Sequence, residues 1–139
     1  MERPIRVLCV DDSADICAIL ERLIRRDPDL ESVGTLCSTR GIVDEAIKRA
    51  ADVVVLDLTM PSPEADLDPM DAIRELARRA PACRVIAFSG HDDAETRDEV
   101  HRAGAWGLVS KHGEPREIIE VVRRVGRNGT CGNNGTDRG

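Results

Sequence analysis

The chain has 139 residues, with 20 Lys and Arg against 26 Asp and Glu and a formal net charge of −6. That length supports one domain around one buried core. The acidic balance, and the lack of basic clusters interleaved with aromatics, argue against direct binding to nucleic acid or to an anionic membrane. No apolar run approaches the ~20 residues of a membrane span, and Met1-Glu2-Arg3-Pro4 leads straight into a strand pattern without a signal-peptide core, so a cytoplasmic location is expected.

Ile5 to Val10 is an apolar run suited to a strand buried on both faces, and Asp11 and Asp12 close it. Ser13 then caps a helix that carries Ile16, Ile19, Leu20, Leu23 and Ile24 on one face and stops at Asp27-Pro28. Ser32 to Cys37 is a second strand, followed by a helix from Gly41 to Ala50 with Thr39 as its cap and Val43, Ala46, Ile47 and Ala50 turned inward. Val53 to Leu56 is a third strand, closed by Asp57. Asp68 and Pro69 stand at the cap and first position of a third helix, with Ile73, Leu76, Ala77 and Ala80 inward. Arg84 to Phe88 is the fourth strand, followed by Ser89-Gly90. The stretch from Asp93 to Ala103 is mostly charged and ends at Gly104, so its helix should be the most exposed and the least firmly packed. Trp106 to Val109 is the fifth strand, and Lys111 comes after it. The last helix begins at Pro115 and buries Ile118, Val121, Val122 and Val125. From Gly126 the chain has five glycines in fourteen residues and little to bury. The expected organisation is one domain over 1–127 and a disordered tail or severed linker over 128–139.

Strands alternating with helix-period segments signify βαβ units and a parallel sheet covered on both faces. The five cysteines, Cys9, Cys17, Cys37, Cys83 and Cys131, are odd in number and widely spaced. They are expected to be reduced core residues. His91, His101 and His112 are too far apart to suggest a ligand set.

The chemistry concentrates at strand ends. If the first and third strands are neighbours, Asp11, Asp12 and Asp57 meet in one pocket. Carboxylates at about 4 Å repel by roughly 4 kcal/mol per pair at an effective dielectric near 20, so the cluster calls for a divalent cation. Taken singly, Ser89 would be an ordinary loop serine and Lys111 a solvated lysine. Their place in an ordered set changes that reading.

Asp11-Asp12-Ser13, Asp57-Leu58-Thr59-Met60-Pro61, Ser89-Gly90, and Gly104-Ala105 followed by Lys111 occur in that order, each after a strand. With these motifs the chain resembles the receiver domain of two-component response regulators over approximately residues 4 to 127. The resemblance implies a flavodoxin-like, doubly wound α/β fold with five parallel strands in the order 2-1-3-4-5, which makes the first and third strands neighbours. It also implies that Asp57 accepts a phosphoryl group. Asp12 and Asp57 would bind Mg²⁺ directly, with Asp11 acting through water and the Thr59 carbonyl as a further ligand. Lys111 and Ser89 would contact the phosphoryl group, the protein catalysing nothing beyond its own phosphorylation and dephosphorylation. The implied donor is a sensor histidine kinase or a histidine phosphotransfer protein.

The implied signal is a shift of the face made by the fourth helix, fifth strand and fifth helix. Its recipient would be a downstream protein or an output domain of the same polypeptide. Lys111 to Val125 looks like receivers that precede a helix-turn-helix domain, so the N-terminal part of a transcription factor is one alternative. A partner-binding receiver that is never phosphorylated is another. If the domain is phosphorylated, a phosphorylation-dependent homodimer is a further expected partner state. A haloacid-dehalogenase-type phosphohydrolase would need an acid two residues after its nucleophile, where Thr59 stands.

Three departures from the family pattern carry expectations of their own. The segment Ser62 to Asp68 is about four residues longer than usual and carries Glu64, Asp66 and Asp68, which points to partner choice. The family's switch aromatic is replaced by Leu108, while Trp106 lies two residues earlier on the same strand face. His112 stands where Pro often follows the lysine.

Overall fold

The computed structural model describes residues 3–60 and 66–131, the last four of these by their backbone alone. The sheet is built from β1 (Ile5–Val10), β2 (Leu30–Leu36), β3 (Val53–Asp57), β4 (Arg84–Ser89) and β5 (Gly107–Ser110). The helices are α1 (Ala14–Arg25), α2 (Ile42–Lys48), α3 (Pro69–Arg79), α4 (Ala94–Ala103) and α5 (Pro115–Cys131). All strand pairs are parallel and the order is β2-β1-β3-β4-β5. This is the expected doubly wound α/β fold, with β1 and β3 adjacent.

Alternation along the strands sends side chains to two separate cores. Leu8, Val10, Val54, Leu56, Val85, Ala87 and Leu108 pack under α2, α3 and α4. Val7, Cys9, Val53, Val55, Ile86 and Val109 pack under α1 and α5. Because β3 is covered on both faces, all five of its residues are buried, Asp57 among them. Among the described residues, no helix is long and apolar enough to cross a membrane.

Helix ends follow local chemistry where the cap residue is free to act. Ser13 Oγ accepts from the Ile16 N–H, Asp68 from Met70 and Asp93 from Thr96. Gly104 closes α4 in the left-handed conformation that a side chain would resist. The second helix departs from its expected start. Thr39 is buried and its hydroxyl donates to the Leu67 carbonyl, so it cannot cap, and Gly41 with φ of 66° takes the N-cap position instead.

Several inward assignments also need correction. Ile19 and Ile47 are exposed, at 48% and 55%, and Ala50 and Ala77 lie outside the core. Each sits at the margin of an apolar stripe, where helix rotation rather than spacing decides burial. Cys17 and Ile42 take inward positions in α1 and α2. Cys9, Cys17 and Cys83 are buried free thiols, whereas Cys37, just past β2, is exposed.

The fifth helix runs through Gly126 to Cys131, past the boundary placed at 127. Residues 132–139 lie outside the described residues. The glycine is a packing device, since a Cβ there would stand 2.6 Å from Ile5 Cγ2. Arg123 on the same helix pairs with the buried Asp27, and Arg127 pairs with Asp29, which holds α5 to the turn between α1 and β2.

Gly126→Leu should therefore destabilise the fold by about 1–3 kcal/mol, the usual cost of overpacking. Thermal melting checks it, and combining the change with Ile5→Ala should recover part of the loss. Equal melting of wild type and Gly126→Leu would mean that α5 does not seat on β1 as described.

Candidate functional site

The parallel pairing of Val10 with Leu36 and Leu56 places the C-terminal ends of β1, β2 and β3 level with one another. The residues just past each strand therefore share one rim. The Asp11 N–H donates to the Leu36 carbonyl and the Leu58 N–H to the Phe88 carbonyl, which extends the pairing one step beyond the strands. Asp11, Asp12 and Asp57 come together there, each with a carboxylate oxygen within 4.8 Å of the others. Asp11 and Asp57 are buried and Asp12 is exposed.

Lys111 reaches this cluster from beyond β5. Its backbone N–H donates to the Ser89 carbonyl at 2.8 Å. Its ammonium lies 3.0 Å from Asp57 Oδ1 and 3.2 Å from Asp11 Oδ2. One cation thus sits between two buried anions. Its own burial would disfavour the charge, but Asp57 and then Asp11 outweigh that and raise the Lys111 pKa. Asp57 is likewise buried, yet hydrogen bonds from the Thr59 N–H and hydroxyl, together with Lys111, lower its pKa. Asp11 goes the other way. Burial and then the charge of Asp57 raise its pKa against the opposing effects of the Ser13 N–H and Lys111.

The two carboxylates are held differently. Asp57 Oδ1 accepts from the Thr59 N–H at 2.9 Å and the Thr59 hydroxyl at 2.7 Å. Asp11 Oδ1 accepts from the Ser13 N–H at 2.9 Å. Asp11 Oδ2 is buried and lacks a well-aligned hydrogen bond despite the nearby ammonium. An oxygen-only pocket with an orphaned carboxylate oxygen and more negative than positive charge fits a hard divalent cation such as Mg²⁺.

Ser89 is buried at the end of β4, where its Oγ accepts from the His91 N–H at 2.9 Å. Leu108 is buried with the α2–α4 core. Trp106 precedes β5 instead of lying within it and is 51% exposed, with the Arg84 guanidinium 3.7 Å from its ring centroid. Although its N–H donates to the Val85 carbonyl of β4, its side chain does not share the buried packing of Leu108. Among the described residues every peptide bond is trans, that before His112 included.

The acidic loop expected to influence partner choice falls at Ser62, Pro63, Glu64 and Ala65 outside the described residues. Its far end is anchored: Asp66 pairs with Arg40 at 3.0 Å, and Asp68 caps α3.

Two contacts go beyond the sequence expectations. Thr59 restrains Asp57 with its side chain, a role legible in the Asp-x-Thr spacing, where a hydroxyl two residues on can close a local turn. The Cys17 thiol donates to the Asp11 carbonyl at 3.3 Å, which ties α1 to the rim and leaves no signal in the one-dimensional pattern.

The family model for the response regulator receiver domain matches residues 7–123. The chain is 35% identical over 127 residues to the protein-glutamate methylesterase/protein-glutamine glutaminase of Symbiobacterium thermophilum, covering 91% of this chain and 33% of that protein. It is 29% identical over 121 residues to the response regulator UvrY of Escherichia coli K12, covering 87% of this chain and 54% of that protein. In structure it is similar to the response regulator domain of Thermotoga maritima CheB, with a TM-score of 0.79, 30% identity, and coverage of 90% of this chain and 98% of that one. The chain thus spans about a third to a half of the length of these curated relatives. Receiver domains generally bind Mg²⁺ in an acidic pocket and serve signalling rather than metabolism. On the family match, the common fold and the agreement of the motifs in order, the chain belongs to the response regulator receiver domain family.

Proposed function

We propose that Asp57 accepts a phosphoryl group from the phosphohistidine of a sensor histidine kinase or a histidine phosphotransfer protein. The observation that carries this is the single ammonium of Lys111 shared between the buried Asp11 and Asp57 beside the third carboxylate. Three donors occupy Asp57 Oδ1, which leaves Oδ2 as the attacking oxygen. Its attack on phosphorus forms a P–O bond as the P–N bond breaks, and the electron pair leaves on the donor imidazole. Lys111 is placed to stabilise charge on the equatorial oxygens, and Ser89, whose Oγ accepts from the His91 N–H, still has its hydroxyl hydrogen to donate to one of them. Asp11, Asp12, Asp57 and the Thr59 carbonyl would hold Mg²⁺, which offsets the repulsion between carboxylate and incoming phosphate. Thr59 restrains the nucleophile and offers no general acid, which favours acceptance over a dedicated phosphohydrolase.

The proposed signal is a movement of Ser89 toward the phosphoryl group that shifts the β4–α4 loop and α4, with Leu108 repacking and Trp106 at the rim of the α4–β5–α5 face. The thin packing of α4, which buries Val100 and Ala103 alone, supports it. The recipient is a downstream protein or an output domain of the same polypeptide. The unmatched length of the relatives supports the second form.

Incubation with acetyl phosphate and Mg²⁺ should add one phosphoryl group to the intact mass. Asp57→Asn and a metal chelator should each abolish it. Labelling that survives either would remove Asp57 or the metal from the mechanism.

In chelator, Asp12→Ala should be more stable than wild type by on the order of 1 kcal/mol, because one of three crowded negative charges is gone. With millimolar Mg²⁺ the order should reverse, since the wild type gains binding free energy that the variant loses. Thermal melts in the two buffers check this, and an equal Mg²⁺-induced rise in both proteins would exclude Asp12 as a ligand.

Lys111→Ala leaves two buried carboxylates without their shared cation and should destabilise the metal-free domain by about 3 kcal/mol, a typical cost of breaking a buried pair. Denaturant melts in chelator measure the effect. A loss no larger than that of an exposed lysine would contradict the described contacts.

A further inference from the structure

The β4–α4 loop connects Ser89 to the N-cap of α4 at Asp93, and one side chain ties its far end to the sheet. Arg97 Nε donates to the Asp92 carbonyl at 3.2 Å, and Arg97 Nη1 donates to the Leu108 carbonyl at 3.4 Å. A single planar guanidinium thus joins the loop, the first turns of α4 and the middle of β5.

Beside it, Arg97, Val100, His101, Ala105 and Leu108 line an open cleft of about 280 Å³ between α4 and β5. The buried contact of α4 with the body of the domain is confined to Val100 and Ala103. So little apolar burial leaves polar ties with a large share in the position of this helix. The hydrogen bonds described for the Arg97 guanidinium both end on backbone carbonyls, so its charge is directed at the chain itself rather than at a neighbouring carboxylate.

We propose that Arg97 is a positioning residue that holds the β4–α4 loop and α4 in the unphosphorylated arrangement. The inference rests on the reading that phosphorylation draws Ser89 inward. In the present arrangement Ser89 Oγ accepts from the His91 N–H, so drawing Ser89 inward pulls on His91 and, through it, on the chain leading to Asp92. Displacement of Asp92 relative to Leu108 strains or breaks the bridge through Arg97. The bridge therefore contributes to the resting state and is weakened in the phosphorylated one. A lysine cannot replace it, because one ammonium lacks the fork that spans two separated carbonyls.

When the binding-competent arrangement is a minor population, loss of a contact that favours the other arrangement tightens apparent affinity in proportion. Arg97→Ala should bind beryllofluoride, a phosphoryl mimic, about fivefold more tightly than wild type in Mg²⁺, and Arg97→Lys should behave like Arg97→Ala. Half-saturation can be followed by amide chemical shifts. Unchanged or weaker affinity in a folded Arg97→Ala would overturn the proposal.

A second measurement does not depend on phosphorylation. In protein without the mimic, Arg97→Ala should speed amide exchange across the β4–α4 loop and α4 while leaving β1 and α1 unchanged. Unchanged exchange in α4 would also overturn it. If wild type fails to bind the mimic while Arg97→Ala still loosens α4, the phosphorylation reading falls and the tether stands.

Discussion

The arrangement of the rim depends on one ammonium between two buried carboxylates. Lys111 stands 3.0 Å from Asp57 and 3.2 Å from Asp11, and its backbone is at the same time bonded to Ser89. This ties β1, β3, β4 and β5 together at their C-terminal ends, where a parallel sheet has no further ladder to hold them. The third carboxylate, Asp12, has no share in that cation and faces solvent. Negative charge is thus in excess where a divalent cation could enter from the open side.

The supports of Asp11 and Asp57 are unequal, and the inequality has chemical consequences. Asp57 is restrained on one oxygen by Thr59 and Lys111, which favours its ionised form and leaves its other oxygen outside those contacts. Asp11 is disfavoured as an anion by burial and by its neighbour, and one of its oxygens lacks an aligned donor. Such an oxygen gains most from a cation. The two residues are the same chemical group in different surroundings, set by what neighbouring residues donate.

The helices are held with different firmness, and α4 is the least buried of α1 to α4. On the α1–α5 side, Arg123 and Asp27 add an ion pair to a continuous apolar core, and α5 seats closely on β1 at Gly126. On the other side, α2 and α3 bury three and four residues while α4 buries two. Local stability follows such differences, and elements that move are drawn from the weakly held end. Asp57 lies at the end of β3, between the firmly held α1–α5 side and the thinly packed α4. A small displacement of Ser89 would therefore be transmitted chiefly toward α4.

The strands, the caps at Ser13 and Asp68, and the carboxylate cluster were legible in the sequence because each depends on local pattern. Apolar runs define buried strands, small polar residues mark helix starts, and residues just past the strands meet at one rim once the strands are parallel. Margins were less legible. Ile19 and Ile47 satisfy the helical period but face solvent, because the rotation of a helix about its axis is set by the sheet it packs on. Thr39 has the chemistry of a cap yet bonds Leu67, and Gly126 reads as a helix breaker yet lets α5 approach Ile5. In these cases a partner distant in sequence competes for the residue and wins. The order of residues along the chain places the groups of the rim at the strand ends. The tertiary structure decided which oxygens of Asp11 and Asp57 are taken, where Trp106 lies and what Arg97 holds, since hydrogen-bond partners are chosen in space after the chain has folded.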